Sequence, residues 1–178
     1  MSCITKILEL KGDKEVLVPD EKWIAVEGGG KYKDYEYLIV LNTNGHRCGY
    51  VAIPSEHPYS ETPMEMQSFL GGKERPFWDY NKLDIECHGG LTFMEPNHGL
   101  KDLLLIPCND IWIGFDCGHY GDACDIEHFK KYFGEKEAGE KESFFKAMNF
   151  GGESDIKDFD YVEEQCHHII DQLIQIAA

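Results

Sequence analysis

The chain has no Cys-x-x-Cys pair, no internal repeat, no Ser in a nucleophile-elbow pattern and no apolar run near the about 18 residues that cross a bilayer. It is also poor in bases, with 17 Lys and Arg against 33 Asp and Glu and a net charge of -16. Tracking a long nucleic acid needs clustered cations on its phosphates, so long polyanions are excluded as expected partners. A small anion stays admissible, because a nest of backbone N–H groups acts locally against the overall field. Met1 to Lys6 carries no apolar h-region, and the seven cysteines are odd in number and scattered. The expectation is a protein of the cytoplasm with reduced thiols, and no membrane partner.

What is present fits one globular domain over residues 1–178, with 42% hydrophobic and 12% aromatic residues. Tyr35 to Asn42 and Arg47 to Ile53 flank Asn44-Gly45 and predict a hairpin. Residues 54–82, rich in Pro, Gly and aromatics, predict a long loop that would serve as a lid, with one short helix around Met64 to Leu70. Strand signals return at Asp84 to Phe93, Leu103 to Pro107 and Ile111 to Cys117. Ile126, Phe129 and Phe133 then recur at helical spacing behind an Asp125 N-cap. Residues 134–142 are charged and Gly-punctuated, which predicts a solvated surface insertion. Phe159, Val162, Cys166, Ile169, Leu173 and Ile176 mark an amphipathic C-terminal helix. Strands grouped ahead of helices predict an α+β fold, a mostly antiparallel sheet packed on a long C-terminal and a shorter helix.

Two polar segments interrupt the strand-like sequence, Cys87 to Thr92 (Cys-His-Gly-Gly-Leu-Thr) and Gly114 to Asp122 (Gly-Phe-Asp-Cys-Gly-His-Tyr-Gly-Asp). Period-two alternation sends Ile85, Cys87, Leu91 and Phe93 to one face and Glu86, His88 and Thr92 to the other. In the second segment Ile111, Ile113, Phe115 and Cys117 go one way and Trp112, Gly114 and Asp116 the other. Cys87 and Cys117 then read as core fillers. His88 and Asp116 would share a polar face, with Gly90 and Gly114 leaving room beside them. His119 and Asp122 would follow at the strand end, near a helix N-terminus that favours anions.

Three chemistries compete for these residues. His88, Asp116, His119 and Asp122 are admissible ligands for a divalent metal that activates water. His88 or His119 with Asp116 would make a metal-free acid and base pair, which gives His88, Asp116 and His119 catalytic roles if the protein is an enzyme. Alternatively the groups only bind, and His88, Thr92, Asp116, His119 and Asp122 hold a ligand beneath the aromatic rings of Trp78 and Trp112. A bland reading also stands, in which His88 and Asp116 satisfy each other in a Gly-rich core. For His46, His57, His98, His128, His167 and His168 the structural reading is the expectation.

Gly49-Tyr50-Val51, His57-Pro58, the His88 to Thr92 segment and the Gly114 to Asp122 segment together resemble uncharacterised small proteins of bacteriophages and prophages. The resemblance implies a phage accessory protein in a bacterial host cell, a setting that fits counter-defence and a nucleotide-like small ligand. Three functions follow as expectations: capture of such a ligand, metal-dependent hydrolysis of it, and acidic inhibition of a host protein.

Overall fold

Hydrophobic alternation along the central strands is doubly satisfied. Tyr37 and Ile39 enter one buried cluster while Leu38 and Val40 enter another, so the sheet is covered on both faces. The computed structural model describes residues 3–19, 24–61, 66–70, 73–77, 83–96, 111–148 and 155–178. In chain order these form α1 (Cys3–Lys11), β1 (Ile24–Tyr32), β2 (Tyr35–Asn42), β3 (Arg47–Ile53), a 3-10 turn (Pro58–Glu61), β4 (Met66–Leu70), β5 (Lys73–Phe77), β6 (Phe93–Pro96) and β7 (Ile111–Asp116). Three helices follow: α2 (Ile126–Phe133), α3 (Glu135–Met148) and α4 (Phe159–Ala177).

The main sheet runs β1-β2-β3-β7-β6 with every neighbour antiparallel, and β4 and β5 form a separate hairpin. The architecture is the expected α+β fold. β1 and β2 join through Lys33 and Asp34, both at positive φ, as a two-residue primed turn requires. Gly45, at φ 80°, closes the expected β2–β3 turn, and the Asn42 carboxamide oxygen accepts from the amides of Asn44 and His46 there. On one face α4 buries Val162, Cys166, Ile169, Ile170 and Leu173 against Ile39, Val51, Ile113 and Phe115. On the other, α1 sets Ile4 and Ile7 against Leu38, Val40 and Trp112. Phe129, Phe133 and Phe145 of α2 and α3 form a third cluster with Leu41 and Cys124.

Several expectations are corrected. Met66–Leu70 is a strand paired with Lys73–Phe77, where a short helix was expected. Residues 134–142 belong mostly to α3, where a loop was expected. Gly134 ends α2 at φ 105°, its N–H bonding the Lys130 carbonyl. Glu135 and Glu137 then sit in the first turn of α3, where acids complement the helix dipole. α3 buries only Ala138 and Phe145, spaced seven apart, and that sparse signal is hidden among charges. Asp84 to Thr92 is irregular chain and becomes a strand only from Phe93. Helix α1 carried no flagged signal. The strand expected at Leu103 to Pro107 lies outside the described residues.

Candidate functional site

The segment before β6 is held without a strand ladder. The Gln172 side chain of α4 accepts from the Glu86 amide at 2.7 Å and donates to the Glu86 carbonyl at 2.7 Å. One heptad earlier, the Gln165 carboxamide oxygen accepts from the His88 amide at 2.9 Å. Two amides spaced two helical turns apart thus fasten an extended segment along the helix. Gly89 and Gly90, at φ 66° and 84°, then turn the chain at the end of that segment. This break in period explains why Leu91 joins the α4 side while Phe93 packs on the opposite side, although strand alternation put both on one face.

The turn delivers His88 to the loop after β7. Its Nε2 hydrogen-bonds Asp122 Oδ2 at 2.8 Å, and its Nδ1 hydrogen-bonds the Tyr161 hydroxyl of α4 at 2.9 Å. The amide of His119 also donates to Asp122 Oδ2, at 3.0 Å, while the Asp122 amide bonds back to the His119 carbonyl. His119 Nδ1 lies 3.6 Å from Asp122 Oδ2 and is buried without a hydrogen-bond partner. One ligand atom from each of His88, His119 and Asp122 falls within 4.8 Å of the other two. Lys157 Nζ stands 4.0 Å from Asp122 Oδ1 and 5.2 Å from the centre of the Tyr161 ring.

Burial of Asp122 opposes its charge. The hydrogen bond from His88, the His119 amide and the His88 and Lys157 charges outweigh burial and hold its carboxyl below the ordinary aspartate value. Tyr161 is pushed up, first by burial and then by the Cys117 and Asp122 charges, so its phenol stays protonated. The thiols behave as fillers: burial raises Cys87 and Cys124 to about 11, Cys48 to about 12, and Cys117 and Cys166 further.

The remaining predicted site residues go elsewhere. Asp116 does not join His88. It pairs with Cys48 in the β3–β7 register, so its side chain points to the α1 face while His88 lies on the α4 face. Asp116 Oδ1 accepts from the Gly118 amide at 2.9 Å. Trp112 is core at 1% exposed and roofs nothing. Thr92 lines, with Asp116, a separate cavity of about 390 Å³ that also touches Asn44, His46, Tyr50, Phe93 and Phe144. The space expected beside Gly114 is filled: Phe93 pairs across from it, and a Cβ there would come within 2.5 Å of Tyr50. Trp78 lies outside the described residues.

The helix N-terminus expected to attract an anion is closed by its own cap. Asp125 accepts from the His128 amide at 3.1 Å and takes Arg47 Nη1 at 2.8 Å, with His128 Nδ1 also at 2.8 Å. Arg47 in turn forks onto Glu27, which sits where the β1 register shifts. The structural reading holds for His57, which bridges the Leu173 carbonyl and the Tyr59 amide. It holds for His167, stacked on Tyr32 at 4.0 Å.

Sequence reasoning missed Tyr161, Lys157 and Gln165. Tyr161 and Gln165 stand one turn apart on α4, so the signal was polar residues at four-residue spacing beside an apolar stripe. Comparison with models of protein families, with curated proteins and with solved structures finds no match in any of the three.

Proposed function

We propose that His88, His119 and Asp122 hold one divalent cation and that the protein is a metal-dependent hydrolase of a small nucleotide-type phosphate ester. The observation that carries this reading is the convergence of two imidazoles and a buried, ionised carboxylate within 4.8 Å, with His119 Nδ1 unpartnered. Two histidines and one carboxylate suit zinc, iron or manganese and leave coordination positions open. A cation with an open position supplies activated water and polarises an ester oxygen.

The chain's own groups support such a centre. The Tyr161 hydroxyl both donates and accepts, so it fixes the His88 ring whether Nδ1 carries the proton or not. Asp122 contributes one oxygen and is held by a backbone amide on the same loop. Lys157 offsets part of the acidic surroundings and offers a cation to a phosphate oxygen. Asp155, Asp158, Asp160 and Glu164 line the adjoining groove and repel a long polyanion, which favours a substrate with one or two phosphates. A phage-encoded protein acting on a nucleotide signal would need no more.

Metal analysis of untagged protein and calorimetric titration with Zn²⁺ and Mn²⁺ test the reading. One equivalent is expected, with His88→Ala, His119→Ala and Asp122→Asn each weakening it strongly. Chromatography after incubation with a panel of mono-, di- and cyclic nucleotides is expected to give product only in the metal-loaded protein. A native protein that binds neither metal overturns the proposal. Metal binding with every nucleotide recovered intact would leave a binding site and remove the hydrolase.

A further inference from the structure

The about 390 Å³ cavity holding Asp116 and Thr92 lies on the other face of the sheet from the His88 cluster. Its volume is that of a small-molecule pocket. Its polar lining includes Asp116, Asn44 and His46. Its aromatic lining includes Tyr50 and Phe93, which meet edge to face at 5.0 Å, and Phe144 of α3, 42% exposed.

Two observations point to an occupant and to its charge. His46 is only 4% exposed, yet its Nδ1 has no hydrogen-bond partner, while Nε2 reaches Cys124 Sγ at 3.4 Å. A buried unpaired imidazole nitrogen is an unmet hydrogen bond, and His46 belongs to the lining of the cavity. The lining also contains Asp116 and, among the described residues, neither lysine nor arginine. Burial drives His46 towards its neutral form, against the pull of Asp122, Asp116 and the Cys117 backbone, so it does not cancel the carboxylate.

We infer that this cavity binds a planar aromatic cation, its N–H-bearing head on Asp116 and its ring between Phe93 and Phe144. A charged head on a carboxylate gives directional hydrogen bonds, and aromatic faces stabilise a cation beside them. The same lining disfavours an anion of equal size, because Asp116 would repel it.

The test is an isotope-edited NMR titration of the full-length protein with benzamidine, benzamide and benzoate, in chelator so that the His88 cluster holds no metal. Benzamidine is expected to saturate, with shifts centred on Asn44, His46, Thr92 and Phe144. Asp116→Asn weakens it about tenfold or more, as loss of a charged hydrogen-bond partner predicts. Phe144→Ala, a change at a rim position 42% exposed, weakens it without unfolding, and His88→Ala leaves it unchanged. Equal or stronger binding of benzoate, an Asp116→Asn variant that binds as well as the native chain, or no saturable shift with benzamidine would each overturn the inference. All of these outcomes are independent of whether the His88 cluster binds metal.

Discussion

Tyr161 has two roles that are separable by experiment. Its ring is partly buried against the α4 core and its hydroxyl orients His88. A phenol whose pKa is raised is a poor nucleophile, so its use to the site is positional. Tyr161→Phe keeps the ring and removes only that hydrogen bond. Isothermal calorimetry is expected to show metal affinity falling about 10- to 100-fold with the stoichiometry unchanged. An unchanged affinity would mean that the Tyr161–His88 bond is structural alone.

At the scale of elements, the site depends on a two-glycine turn meeting a helix and a loop. A Cβ on Gly89 would lie 2.1 Å from His119 Cε1, and the residue sits at φ 66°. The left-handed backbone alone costs a non-glycine residue about 1–2 kcal/mol. The imidazole, packed directly on the turn, would also have to move. Gly89→Ala is therefore expected to lower the urea midpoint modestly and to reduce metal affinity by a larger factor than that stability loss explains. Gly90 has open space around its Cβ position, so Gly90→Ala feels only the backbone cost and serves as the control. Equal metal affinities in the two variants would show that His119 is not placed by Gly89. α4 supplies the other half of the site, since one helix carries the core stripe, the Tyr161 hydroxyl and the two glutamines that fasten residues 86–88.

For the whole molecule, the buried side chains of Glu27, Arg47 and Asp125, joined by the part-exposed His128, tie β1, β3 and the start of α2 together. Burial resists ionisation of Asp125. The His128 amide and the Arg47 and His128 side chains outweigh it and hold the carboxyl below the ordinary value of 3.8. A group whose pKa falls on folding stabilises the folded state above its unfolded pKa, and that contribution disappears as pH drops through the folded value. Stability measured by urea unfolding is thus expected to be flat in this term from neutrality to about pH 5 and to fall below about pH 4, by up to about 1.4 kcal/mol per pH unit for this one group. Asp125→Asn should lower stability at neutral pH, because Arg47 loses a buried partner, and should flatten the acid limb. An acid limb as steep in the variant as in the native chain would assign the effect to other carboxylates.

Local pattern carried most of the architecture. Asn44-Gly45 between two apolar runs, the α4 stripe and the Asp125 cap each rest on neighbours within a few residues, and each is present. α3 was illegible because its charges and Gly139 mask two buried residues, and the helix holds through packing on α2. The site was half legible. Residue type alone selected His88, His119 and Asp122, but period-two reasoning put Asp116 with them, because it assumed that Asp84 to Phe93 is a strand in the same sheet. That segment is instead tethered to a helix more than seventy residues later, and no local rule records where such a tether falls. The sequence by itself determined the α+β class, the β2–β3 hairpin, the Asp125 cap, and the filler role of Cys87 and Cys117, since these depend on short-range periodicity and hydrophobicity. Only the tertiary structure decided which side chains meet, because contact between His88, Asp122 and Tyr161 is set by how a turn, a loop and α4 pack against one sheet.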